Sequence, residues 1–208
     1  MTIASLESAV LWAGALLAYT TLGVLLYGIW RGLQREAGRT TGQGAALVRS
    51  VWFYLFSSAL FFGVCYLAWK PVPVTISPGR RLWTLAAGSL LYFPGIGLTL
   101  WGRLALGKDY FVSTGFGAQL LAGQRLVTQG PFAIVRHPMY CGLVLGAVGS
   151  LLLYLTWTTV LLACFAPFIF IRAWREEQAL RQEFGDEWRE YRNRVPAFFP
   201  LRKRQRRS

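Results

Sequence analysis

The stretch from Pro138 to Ile171 runs for 34 residues without a charged side chain. A hydrocarbon core of roughly 30 Å takes about 20 apolar residues of helix, so this run is too long for one upright helix. It is just long enough for two short ones that turn near Leu155 to Thr159. Three further runs have no interior charge and meet the span length: Ala9 to Trp30, Val51 to Trp69 and Leu82 to Trp101. Each ends in Trp, a residue favoured at the lipid interface. The sequence therefore predicts an all-α polytopic membrane protein of about five transmembrane helices, the last two a short helical hairpin.

Composition agrees and narrows the function classes. Hydrophobic side chains make up 54% of the 208 residues, charged ones only 15%, and the mean hydropathy is +0.40. This is too apolar for an ordinary water-soluble domain. A net charge of +13 would point to nucleic acid in a polar chain. Here it coexists with long uncharged runs, so the expected partner is the lipid bilayer and no nucleic acid is expected. One His and three Cys are too few for a His/Cys zinc site or a multi-disulfide framework, and no metal is expected. Cys65, Cys141 and Cys164 lie within apolar runs, where a free thiol behaves as a small hydrophobe. Met1 to Ala9 carries no Lys or Arg and the following run is too long for an h-region, so a cleavable signal peptide is not expected.

Five spans place the termini on opposite sides. With the N-terminus outside, 19 of the 22 basic residues fall on the inner side and only Lys70, Arg80 and Arg81 on the outer. That follows the positive-inside bias and predicts a cytoplasmic C-terminus, in a bacterial inner membrane or endoplasmic reticulum. The tail from Arg202 to Arg207 holds five positive charges and no acid, which suits anionic lipid headgroups at about 1 kcal/mol per basic residue.

Polar sequence that could hold a water-soluble ligand is confined to Gly102–Val135 and Arg172–Ser208, both on the inner side. Arg136-His137-Pro138-Met139-Tyr140 stands where the first of these enters the fourth span. Pro138 suits a first helical turn, and the free amides of that turn suit an anion. Arg136, His137 and Tyr140 equally fit the role of interfacial anchors. Gly142 and Gly146 form a small-xxx-small pair, a helix-packing signal. After the fifth span, Arg172 and Glu176 are four residues apart and share a helix face that continues through Leu180, Phe184, Trp188 and Tyr191. This is either an interfacial amphipathic helix with a surface ion pair, or a charged site at a span end beside a pocket. Gln124 to Phe132 reads as an extended piece with a turn at Gly130-Pro131.

These strings together resemble the isoprenylcysteine carboxyl methyltransferase family and its integral-membrane relatives, including phospholipid methyltransferases. The resemblance rests on Leu126-Val127-Thr128-Gln129-Gly130-Pro131-Phe132, then Arg136-His137-Pro138-Met139-Tyr140-Cys141-Gly142, then Arg172 with Glu176-Glu177. It continues through Phe184-Gly185-Asp186-Glu187-Trp188-Arg189-Glu190-Tyr191 to Val195-Pro196. It implies one membrane methyltransferase domain over 1–208, with three divergent helices in 1–101, a cofactor-binding core in 102–200 and the basic tail in 201–208. It implies an S-adenosylmethionine pocket on the inner face, closed by the C-terminal amphipathic helix, and a lipophilic or small methyl acceptor. Carried onto this sequence, the cofactor shell comprises Gln119, Gln124, Arg125, Leu126, Val127, Phe132, His137, Pro138, Met139, Tyr140 and Glu176. Arg172 resembles the family's substrate-side arginine, and Arg172 and Glu176 are the expected catalytic pair. The family often has Tyr at the place of Phe132 and His-Asn at that of Gln124-Arg125, changes that leave backbone contacts intact.

Sulfonium, amino-acid head and adenine call for aromatic faces, an acid and backbone donors, and Phe132, Tyr140 and Glu176 supply the first two. Arg172 would hold a carboxylate nucleophile by paired hydrogen bonds, whereas with an amine or thiol Arg172 or Glu176 would bias protonation. Two other classes share features of this sequence: NADPH-dependent membrane sterol and enone reductases, whose C-terminal segment looks similar, and a non-enzymatic helical membrane subunit.

Overall fold

A computed structural model describes residues 3–34, 37–41, 51–110, 118–121 and 123–200. The basic tail 201–208 lies outside the described residues. The first helix, α1, covers Ile3–Leu33 and is followed by the short strand β1, Ala37–Thr41. Then come α2 (Val51–Leu67) and α3 (Pro78–Leu106), with a 3-10 turn at Gly107–Asp109. Strand β2 (Ala118–Leu121) pairs antiparallel with β1, with Thr40 opposite Gln119. A second 3-10 turn at Gly130–Ala133 leads into α4 (Pro138–Tyr154), α5 (Trp157–Phe165) and α6 (Phe168–Arg194).

Three apolar stretches, α1, α3 and α5 continued by α6, are long enough to cross a bilayer, and two shorter apolar helices, Leu55–Leu67 within α2 and Pro138–Tyr154, complete the expected five. Large apolar side chains such as Trp12, Trp52, Phe56, Trp83 and Leu90 point outward, as they do in a protein solvated by lipid. The all-α reading holds, and the two-stranded ribbon is a small addition that ties the α1–α2 and α3–α4 connectors at one end of the bundle.

The long uncharged run folds as the expected hairpin. Leu155 adopts a left-handed conformation at φ 50° and ends α4. Thr156 then caps α5 in a reciprocal box with Thr159, whose Oγ1 accepts from the Thr156 N–H at 3.1 Å. Backbone bonds from Val72 to Leu155 and from Trp157 to Lys70 seat the α2–α3 connector on this hairpin.

The tightest packing is between α3 and α4, and small residues permit it. A Cβ on Gly95 would lie 2.7 Å from the Gly146 backbone nitrogen, and one on Gly149 would lie 2.5 Å from that of Tyr92. In lipid, where apolar burial gives helices little reason to associate, such close backbone approach supplies the van der Waals contact. Helix α1 is fastened to this pair by polar bonds. Tyr92 and Tyr154 donate their hydroxyls to the carbonyls of Gly14 (3.0 Å) and Leu11 (2.9 Å). Arg81 binds Glu7 at 2.6 Å and the Leu153 carbonyl at 2.7 Å, at the end of the bundle away from the ribbon.

Candidate functional site

At the ribbon end, a cavity of about 450 Å³ opens between α1, α2, the end of α3, the start of α4 and the middle of α6. Its size is that of a small-molecule site. One side is apolar, built from Leu22, Leu25, Leu26 and Ile29 of α1 with Phe61 and Phe62 of α2. The other is formed by Phe132, Arg136, His137, Pro138, Met139, Tyr140, Arg172 and Glu176. Six residues of the expected cofactor shell, Phe132, His137, Pro138, Met139, Tyr140 and Glu176, therefore meet the expected substrate-side Arg172 at one surface. Gln124, Arg125, Leu126 and Val127 do not line this cavity; they run in a stretch without regular structure ahead of it, with Arg125 exposed. The Gln119 side chain lies outside the described residues, its backbone being part of β2.

The polar wall is held from behind by Glu177. Its Oε1 accepts from Arg136 Nη2 at 2.7 Å, from Arg136 Nε at 3.0 Å and from His137 Nε2 at 3.1 Å. Burial alone would raise this carboxyl, but the bonds from His137 and Arg136, with their charge, outweigh it and lower the group to about 2. Arg136 reaches further, donating Nη1 to the Val195 carbonyl at 2.6 Å. Backbone amides of Arg136 and His137 bond the carbonyls of Pro196 and Ala197. The His137 ring is stacked between Tyr140 and Phe198, with centroids 5.5 and 5.2 Å away.

Gly185 makes the rest of this clasp possible. At φ 51° it breaks the path of α6, a conformation that costs little only without a Cβ. Beyond the kink, Trp188 and Tyr191 are buried, and Tyr191 donates to the Phe132 carbonyl at 2.7 Å. Burial pushes the Tyr191 phenol up to about 12, so it stays a proton donor.

Adjacent helical residues point about 100° apart, which splits the Glu176-Glu177 pair between two tasks. Glu177 faces the clasp. Glu176 faces the cavity, where Oε2 accepts from the Tyr140 hydroxyl at 2.8 Å. The Arg172 guanidinium, one turn earlier, lies over the Tyr140 ring at 5.7 Å. The expected Arg172–Glu176 pair is thus organised around Tyr140.

This arrangement brings together an acid, aromatic faces, an arginine and the amino end of α4. Those groups fit the ammonium, sulfonium, carboxylate and ring of S-adenosylmethionine. Sequence reasoning missed Glu177 as the clasp, Phe198 as the second stacking partner, and the α1 and α2 residues of the apolar wall. The doubled acid was the available signal for Glu177. The apolar wall had none, since lipid-facing and cavity-facing residues look alike in such helices.

The same region is what known proteins share with this chain. Residues 83–187 match the model of the phospholipid methyltransferase family. The chain belongs to that family. Among curated relatives, a protein-S-isoprenylcysteine O-methyltransferase of Schizosaccharomyces pombe is 38% identical over 36% of this chain and 33% of its own. Methanethiol S-methyltransferase 2 of Bradyrhizobium diazoefficiens is 28% identical over 71% of this chain and 58% of its own. Protein-S-isoprenylcysteine O-methyltransferase B of Arabidopsis thaliana is 33% identical over 37% and 40%. This family member therefore spans between a third and three fifths of the length of these relatives. The family match contains the whole polar wall of the cavity, from Phe132 to Glu176, and the Glu177 behind it.

Proposed function

We propose that this protein is an integral-membrane methyltransferase that takes a methyl group from S-adenosylmethionine and gives it to a lipophilic or small acceptor. The observation that carries the reading is the Glu176–Tyr140–Arg172 cluster facing an apolar wall across one cavity. The bound cofactor supplies an activated methyl group on a sulfonium with a good leaving group. Glu176 holds its ammonium, Tyr140 and Phe132 offer faces to cation and ring, and Arg172 stands on the acceptor side. The chain acts as one membrane unit, with the N-terminus outside, the cavity on the cytoplasmic face and the basic tail against anionic lipid. Alignment of the reactants and exclusion of water account for the acceleration.

The hydrogen bonds also bear on the acceptor. Glu177 stands behind the wall with Oε1 taken by three N–H donors, and Glu176 is engaged by Tyr140 and, in this reading, by the cofactor's ammonium, so neither carboxylate is assigned as the base. An acceptor that reacts as an anion, a carboxylate or the minor thiolate fraction of a thiol that has already lost its proton to solvent, leaves no proton for the wall to take and fits it with Arg172 as its counter-charge.

Thermal melts of the detergent-purified protein test the cofactor. S-adenosylmethionine and S-adenosylhomocysteine at 100 times their dissociation constants should each stabilise it by about 2.7 kcal/mol, and NADPH should not. Stabilisation by NADPH alone would favour a reductase, and stabilisation by none a non-enzymatic subunit.

A further inference from the structure

Arg103, in the last turn of α3, is only 7% exposed. Its guanidinium lies 4.2 Å from the centroid of the Tyr110 ring, and Nη1 donates to the Gly107 carbonyl at 3.1 Å. Nε is buried without a hydrogen-bond partner among the described residues. The Nε–Nη2 edge of the guanidinium abuts α1 at Gly28, where a Cβ would fall 2.5 Å from Nε and 2.7 Å from Cζ. Arg103 thus fills a slot between a glycine and an aromatic ring.

That slot lies directly behind the apolar side of the cavity. Leu25, Leu26 and Ile29 stand beside Gly28 on α1 and line the cavity, and so do Tyr110, whose ring meets the guanidinium, and Leu106. Arg103 itself does not line it. A planar cation desolvated against a ring is worth about 0.5–2 kcal/mol, enough to hold the ring in one position. The gap at Gly28 is needed to admit that edge while the guanidinium lies against the Tyr110 ring; an ammonium on a flexible stem offers neither the planar edge nor the face.

We propose that Arg103 is a positioning residue. Clamped between Gly28 and Tyr110, it fixes the spacing of α1 from the end of α3 and so sets the apolar wall that receives the acceptor's hydrocarbon part. The inference rests on the methyl-transfer reading, because it takes the polar wall as the cofactor's side and the apolar wall as the acceptor's.

Equilibrium binding to the purified full chain tests it, with S-farnesylcysteine as the acceptor probe and S-adenosylhomocysteine as the cofactor probe. Arg103→Lys and Tyr110→Leu should each weaken S-farnesylcysteine about five- to tenfold and leave S-adenosylhomocysteine within about twofold. Gly28→Ala should weaken S-farnesylcysteine in the unaltered background and add nothing once Arg103→Ala has emptied the slot. Equal loss of both ligands in Arg103→Lys, or an additive effect of Gly28→Ala in the Arg103→Ala background, overturns the proposal. Failure of the unaltered protein to bind S-farnesylcysteine while it binds S-adenosylhomocysteine overturns it alone. Failure to bind either overturns it together with the methyl-transfer reading.

Discussion

Arg136 grips Glu177 at a single carboxylate oxygen, with Nη2 at 2.7 Å and Nε at 3.0 Å, across 41 positions of sequence. The pair is 8% and 18% exposed, so removing one partner strands a charge in a poorly solvated place. Glu177→Gln is expected to lower stability by about 2–4 kcal/mol, near the range for a broken buried pair. A detergent melt read by tryptophan fluorescence measures this. A melting temperature within a degree of the unaltered protein would show that the clasp holds little.

The same carboxylate gives a pH dependence of known sign. Its folded value of about 2 lies below its ordinary value of 4.5, so the folded state favours the ionised form. The stabilisation is full above about pH 4.5 and is lost progressively as pH falls toward 2. Melts from pH 6 down to pH 2.5 should show this acid limb, and Glu177→Gln should flatten it.

Glu176 and Tyr140 separate cofactor binding from the fold. Glu176→Gln keeps an acceptor for the Tyr140 hydroxyl but removes the negative charge. We expect S-adenosylhomocysteine affinity to fall about 10- to 100-fold, the worth of one charge-assisted hydrogen bond, with little change in melting temperature. Calorimetric titration measures the first and a melt the second.

Close packing of α3 on α4 predicts a steric penalty. A Cβ on Gly95 would meet the backbone of Gly142 and Gly146 at 2.8 and 2.7 Å, with no flexible end to move aside. Gly95→Ala should cost about 1–3 kcal/mol by overpacking. Gly97→Ala, on the same helix with open space around it, should be near neutral. Paired melts of the two variants separate steric conflict from loss of glycine itself.

These residues also show how far sequence carries. The spans were legible because charge is costly in lipid, so the lengths of uncharged runs almost dictate the helices. The turn at Leu155–Thr159 followed from one run being too long. The cavity's polar wall was legible because its residues sit in two short strings, 132–140 and 172–176. Partners distant in sequence were not: Arg81 with Glu7, Arg103 with Gly28, and Arg136 with Val195 depend on how helices meet. Residues 124–127 read as a ligand-facing stretch from their place in the motif, yet they stay off the cavity wall.

Transfer of labelled methyl from S-adenosylmethionine is the most direct measurement of the central claim, that this cavity joins cofactor and acceptor. Purified protein would be offered S-farnesylcysteine, methanethiol and phosphatidylethanolamine in parallel. The account predicts label in the first or second acceptor, and at least a tenfold loss of turnover in Arg172→Ala while S-adenosylhomocysteine binding persists, about 1.4 kcal/mol or more of barrier. Label in phosphatidylethanolamine alone would contradict the ionised-acceptor reading. No label in any acceptor, with no binding of S-adenosylhomocysteine, would contradict the account as a whole.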